Sequence, residues 1–121
     1  ALDDNMACLN AVKNIYIEKI PAHWVSLNNS IFLCMECSGT HRSYGVNISY
    51  VRSATLNTLT NPQLKTLEIG GNKRLREFLK QHRVPSYLSK KQLYNTNIMH
   101  YYRRLVKLNN LAQSEVNNEQ M

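Results

Sequence analysis

The side chains best suited to chemistry gather in one stretch, CMECSGTHRSYGVNISYVRS, residues 34 to 53. Cys34 and Cys37 stand three apart, and Cys8 is the only other cysteine in the chain. A Cys-x-x-Cys spacing lets one tight turn present two thiolates to a tetrahedral zinc ion, which takes sulfur or imidazole donors. Cys8 is the obvious third donor. The fourth is open: a second pair beginning at Cys8 would need its partner at position 11, where the chain has Ala11. The nearest other donors in sequence are His23 and His41. Two rival readings of the pair stand beside zinc. Redox exchange uses the same spacing, but the expected βαβ surroundings are missing. Two unconnected buried thiols would need no chemistry at all. Bound zinc would bring roughly 10–16 kcal/mol of apparent binding free energy, by analogy with zinc-finger peptides. Just beyond the pair stand Arg42 and Arg52; taken alone, each is one of fifteen Lys and Arg residues and reads as a solvated cation.

The elements that must position these groups fall into two halves. In the first, SIFLC (30–34) and YVRSATL (50–56) read as strands, rich in β-branched and aromatic residues between polar turns. Between them Ser38 caps a short helix that Gly45 ends. The second half reads as helical. Asn61-Pro62 supplies an N-cap and a first-turn proline, and Gly70-Gly71 stops that helix. Asn72 caps the next, with Leu75, Phe78 and Leu79 on one face. Ser89 starts a third. Thr96 starts a fourth that runs to about Leu111, carrying an apolar stripe of Ile98, Met99, Tyr102, Leu105 and Val106. His100, Arg103, Arg104 and Lys107 fall largely off that stripe.

A length of 121 residues suits one domain with one modest core, and 43% hydrophobic residues suit a globular chain. No apolar run approaches the ~18 residues of a membrane span. The start lacks the grammar of a signal peptide. A chain beginning at Ala1 is expected to be an excised domain or a processed form. An odd cysteine count fits a reducing compartment better than a disulfide framework. A net charge of +7 and a pI near 9.5 predict an acidic partner: nucleic acid, an anionic membrane face or an acidic protein surface.

As a unit, Trp24, Cys34, Cys37, Ser38-Gly39, His41-Arg42, Gly45-Val46, Ile48-Ser49, Val51-Arg52-Ser53 and Gly71-Asn72 resemble the catalytic zinc domain of Arf GTPase-activating proteins, in particular the Golgi ArfGAP1-type branch. The resemblance spans about residues 5–108. It implies an α+β fold, in which a small zinc-braced antiparallel β-sheet packs against several α-helices. The expected organisation is a single domain over 1–121: a zinc and β half at 5–57, a helical half at 58–111 and a frayed tail at 112–121. It further implies that Arg42 is an arginine finger. GTP hydrolysis builds charge on phosphoryl oxygens, and a guanidinium fork supplied in trans is worth about 10³–10⁵ in rate. Trp24, Met35, Leu56 and Asn57 are then expected to touch the GTPase, although core packing is an equal reading of Trp24 and Leu56. Arg52 is expected to brace the fold through a carboxylate or backbone carbonyls.

Several positions depart from the family pattern. Ala11 stands for a zinc cysteine, and about six residues are added within AVKNIYIEKIPAH. Ser30 stands for a usual glycine, Tyr44 for leucine, Asn47 for histidine and Asn57 for an acidic residue. The expected function is activation of an Arf-family GTPase, with no turnover of its own, by a cytoplasmic monomer peripheral to Golgi membranes that regulates release of vesicle coats. Coat proteins and an anionic membrane surface are expected further contacts through flanking regions. Lys73, Arg74, Arg76, Lys80, Lys90 and Lys91 could favour approach to such a surface, but a solvated helix face that keeps the protein soluble is the preferred reading of them. A catalytically idle scaffold that binds an Arf or a coat is the first alternative, suggested by Ala11 and Asn57. A zinc-type nucleic-acid binder is the second; it lacks a basic recognition helix after the cysteine pair.

Overall fold

The computed structural model describes residues 23–54 and 59–119, with side chains throughout except at 68, 69 and from 110 onward. Cys8, Ala11, Leu56, Asn57 and the added residues before position 23 lie outside the described residues.

Three short strands form an antiparallel sheet: β1 (Trp24–Ser26), β2 (Ile31–Leu33) and β3 (Val51–Ser53), in the order β2-β1-β3. Trp24 lies opposite Leu33 on one side and Ser53 on the other. Both stretches read as strands are therefore strands, each shorter than the run of β-prone residues. The sheet is covered by α1 (Met35–Arg42), α2 (Asn61–Ile69), α3 (Asn72–Gln81), α4 (Lys90–Tyr94) and α5 (Asn97–Glu119). The fold class is α+β, a small antiparallel sheet packed with helices. No described helix is long and apolar enough to cross a membrane.

The helix starts differ from expectation where a neighbouring side chain makes the better cap. Cys34, not Ser38, caps α1: its Sγ accepts the Cys37 N–H at 3.4 Å. Ser38 lies inside the helix and donates to the Met35 carbonyl at 2.6 Å. Thr60 rather than Asn61 caps α2, in a reciprocal box with Gln63, because its hydroxyl reaches the third helical N–H. Ser89 caps α4 with the same box to Gln92, as expected. Thr96 accepts the Met99 N–H at 3.2 Å, so the start of α5 is also where the sequence puts it; the helix continues past Leu111 to Glu119.

Asn72 is not a cap. Gly71 occupies the N-cap of α3, and the buried Asn72 amide turns onto the outer edge of β2. Its Oδ1 accepts the Phe32 N–H at 2.7 Å and its Nδ2 donates to the Phe32 carbonyl at 3.4 Å. An edge strand presents unpaired backbone groups; here one amide satisfies two of them.

One apolar cluster spans both halves of the chain. Ile31, Leu33 and Cys34 from the sheet side meet Leu75, Leu93, Tyr94, Met99 and Tyr102 from the helices. Phe78, Leu79 and Val106 pack on its margin, so the predicted stripes of α3 and α5 face inward.

Candidate functional site

The eight residues of α1 carry the chemistry at both ends. At the first turn Cys34 Sγ accepts the Cys37 N–H, which brings the two sulfur-bearing residues together at the start of the helix. Cys34 is buried and Cys37 half-buried, both against the apolar cluster. Burial, then the Cys37 thiol, raises the pKa of the neighbouring Tyr44 hydroxyl. The donor chemistry therefore suits two of the four ligands of a structural zinc, with Cys8 outside the described residues. His23 and His41 do not join the pair. Among the described residues no three His, Cys, Asp or Glu side chains gather closely enough to hold a metal. His23 is exposed, and its carbonyl accepts the Ala54 N–H at 2.8 Å.

At the last turn, His41 is buried and Arg42 exposed, successive helical residues being about 100° apart. His41 is buried, with its ring edge-on to Tyr94 at 4.6 Å and tilted on Tyr44 at 5.1 Å. Burial first, then the charge of Lys90, lowers its pKa to about 4, so the ring is neutral near pH 7. Arg42 is exposed, and its guanidinium carbon lies 4.7 Å over the Trp24 ring. Such stacking is worth about 0.5–1 kcal/mol at an exposed site. Trp24 itself is half-buried and packs on the apolar cluster, so the arginine rests on an anchored platform. Met35, 72% exposed, sits about two turns back on the same face of α1 as Arg42. After Arg42 the chain reverses at Gly45, whose φ of 89° suits glycine.

His41 is also the first member of a buried polar chain that crosses the molecule. His41 Nδ1 lies 2.8 Å from Ser49 Oγ, which lies 2.7 Å from Ser26 Oγ. Asn29 Nδ2 donates to Ser26 Oγ and to the Ile48 carbonyl, both at 2.8 Å. Asn29 Oδ1 in turn accepts from Arg103 Nη1 at 3.1 Å. Arg103 was expected to fall largely off the apolar stripe of α5, yet it is buried. The signal was present in the helical period: Arg103 lies four residues after Met99, at the margin of the apolar stripe. The habit of placing charge outside hides it.

The family model described as "Putative GTPase activating protein for Arf" matches residues 4–113. The chain belongs to this ArfGap family. The ADP-ribosylation factor GTPase-activating protein GCS1 of Saccharomyces cerevisiae is 36% identical over 93 residues, 77% of this chain and 26% of that protein. ADP-ribosylation factor GTPase-activating protein 3 of Mus musculus is 35% identical over 85 residues, 69% of this chain and 16% of the relative. The chain thus spans about a quarter or less of these relatives. The crystal structure of a "putative GTPase activating protein for ADP ribosylation factor" from Cryptosporidium parvum superposes with a TM-score of 0.74 at 30% identity, covering 88% of this chain and 81% of the other.

Two further positions of the ArfGap domain bear on the site. Ser30, where the family resemblance leads one to expect glycine, adopts a left-handed φ of 54° at the end of the β1–β2 turn. Its Oγ donates to the Thr66 carbonyl at 2.9 Å and its own carbonyl accepts the Gly71 N–H at 2.8 Å. Among the described residues no carboxylate or carbonyl meets Arg52. It is exposed on β3, with its guanidinium 5.9 Å from the Tyr50 ring centre.

Proposed function

We propose that this ArfGap domain activates GTP hydrolysis on an Arf-family GTPase by inserting Arg42 into the partner's active site. The observation that carries the reading is the Arg42 guanidinium held over Trp24 at the end of a helix tied down at both ends. A finger already constrained loses less conformational freedom on insertion, and its fork then meets the charge that develops on the transferred phosphoryl group. The domain has no reaction of its own to turn over; it completes another protein's site. Trp24 and the exposed Met35 form the apolar surface next to the finger, with Leu56 and Asn57 as the remaining contacts.

Cys34 and Cys37 hold one zinc ion together with Cys8. The ion is structural, and what it supplies is a cross-link that fixes the start of α1. That half of the site positions Arg42; it takes no part in phosphoryl transfer. The whole protein works at the cytoplasmic face of Golgi membranes as a monomer and promotes coat release. Exposed cations, among them Arg76 and Lys80 on α3 and Lys90 and Lys91 on α4, favour approach to an anionic surface.

The test is single-turnover GTP hydrolysis on a soluble Arf with the wild-type chain, Arg42→Lys and Trp24→Leu. Lysine keeps the charge and loses the planar fork. We expect Arg42→Lys to lower the stimulated rate by about 10³-fold or more. Trp24→Leu should lower it by about tenfold or less, in line with a lost stacking contact. A folded chain that accelerates no Arf would overturn the reading and leave an Arf- or coat-binding scaffold.

A further inference from the structure

Arg103 is 9% exposed, and its hydrogen-bond acceptors among the described residues are an amide oxygen, a backbone carbonyl and an imidazole nitrogen. Nη1 donates to Asn29 Oδ1, and Nη2 donates to the Tyr94 carbonyl at 3.1 Å and to His100 Nδ1 at 3.0 Å. No carboxylate meets it among the described residues. Burial accordingly lowers its pKa from the usual arginine range. A desolvated cation without a counter-charge is costly, and buried charges are normally paired.

The guanidinium is not sealed in. It lines an open cavity of about 530 Å³ between the β1–β2 turn, α2 and α5. Two more cations line the same cavity, Arg104 beside Arg103 and Lys107 one turn further along α5, while Leu27, Tyr50 and Val106 supply apolar wall. No aspartate or glutamate is among the described lining residues. Three like charges within about one turn repel one another unless an anion sits between them. The volume lies in the range of small-molecule sites, larger than a bare oxyanion needs.

We propose that this cavity is a binding site for a phosphate monoester carried on a ring-bearing small molecule. The phosphate lies against Arg103, Arg104 and Lys107, and the ring lies against Leu27, Tyr50 and Val106. A doubly charged phosphate matches three cations better than a single carboxylate does, and Arg104 offers it a forked pair of donors. The ester is recognised by the same chemistry whether it is a free metabolite or a lipid headgroup. The site lies apart from the Arg42 platform, so it stands or falls independently of the GTPase reading.

Isothermal titration calorimetry on the 121-residue chain tests it, with inorganic phosphate, inositol 1-phosphate and uncharged inositol as probes. Co-sedimentation with phosphatidylcholine vesicles, with and without phosphatidylinositol 4-phosphate, tests the lipid source. Arg103→Gln removes a core hydrogen-bond hub and is unsuited as the sole variant. The exposed pair Arg104→Gln with Lys107→Gln carries the test, and Arg83→Gln, exposed beyond the end of α3, is the control. We expect saturable binding of inositol 1-phosphate, tighter than inorganic phosphate, and none of inositol. The paired variant should weaken it by about tenfold or more, as loss of charge-assisted hydrogen bonds predicts, while Arg83→Gln leaves it unchanged. Binding of vesicles alone, lost in the paired variant, would place the ester on a lipid and still support the site. No saturable binding to any probe, or equal weakening by Arg83→Gln, would overturn the proposal.

Discussion

His41 and Arg42 are adjacent, both basic in type, and the last turn of α1 sends one inward and one outward. The outward one keeps its charge and gains an aromatic platform. The inward one gives up its charge, because an imidazolium among Ser49, Tyr44 and Tyr94 would be desolvated. This has a consequence for stability. The ordinary histidine value of 6.5 falls to about 4 in the fold, so the unfolded chain binds the extra proton first. The contribution is fully present above about pH 6.5 and is lost as pH falls towards 4, by on the order of 3 kcal/mol. Urea unfolding at about pH 7 and about pH 5 should show about 2 kcal/mol of that loss, and His41→Gln should flatten it while weakening the fold at neutral pH. An unchanged slope in the variant would remove His41 as its source.

Between elements, the contact of Ser30 with Gly70 joins the sheet to the end of α2. A Cβ added at Gly70 would meet Ser30 Cβ at 2.7 Å and its hydroxyl closer still, which no side chain tolerates without a shift. Ser30 in turn holds a left-handed backbone that disfavours any residue with a Cβ by about 1–2 kcal/mol. Its bond to the Thr66 carbonyl returns about 1 kcal/mol. Gly70→Ala should therefore cost about 2–3 kcal/mol in the natural background, and clearly less when combined with Ser30→Gly. A double-mutant cycle by chemical denaturation measures the coupling; strictly additive effects would show that the two residues do not share the space. The same scale explains the displaced caps. Thr60 and Cys34 outcompete Asn61 and Ser38 because each stands where its side chain reaches the third N–H of its helix.

Across the whole molecule, two devices hold α1 in place for the proposed finger. One is the polar chain from His41 through Ser49, Ser26 and Asn29 to Arg103, which links the finger helix to α5. The other is the proposed zinc at Cys34, Cys37 and Cys8. Elemental analysis of the purified chain should give one zinc per molecule, and chelation should lower Tm by roughly 10 °C or more. Cys34→Ser should lose the metal. A chain that is metal-free and indifferent to chelation would show that the apolar cluster around Cys34 and Cys37 suffices without an ion.

The cysteine spacing, the His-Arg pair, the caps at Ser89 and Thr96 and the inward stripes of α3 and α5 were legible in the sequence. They depend on neighbours within a few residues, where propensity, capping and periodicity operate. Only the tertiary structure decided that Asn72 closes the edge of β2, that Arg42 rests on Trp24 and that Arg103 is buried against Asn29. Each of those outcomes turns on the solvation of a polar group by partners far away in the chain, 74 residues for Asn29 and Arg103. Whether a polar group keeps its water or exchanges it for such partners is settled only when the core closes around it.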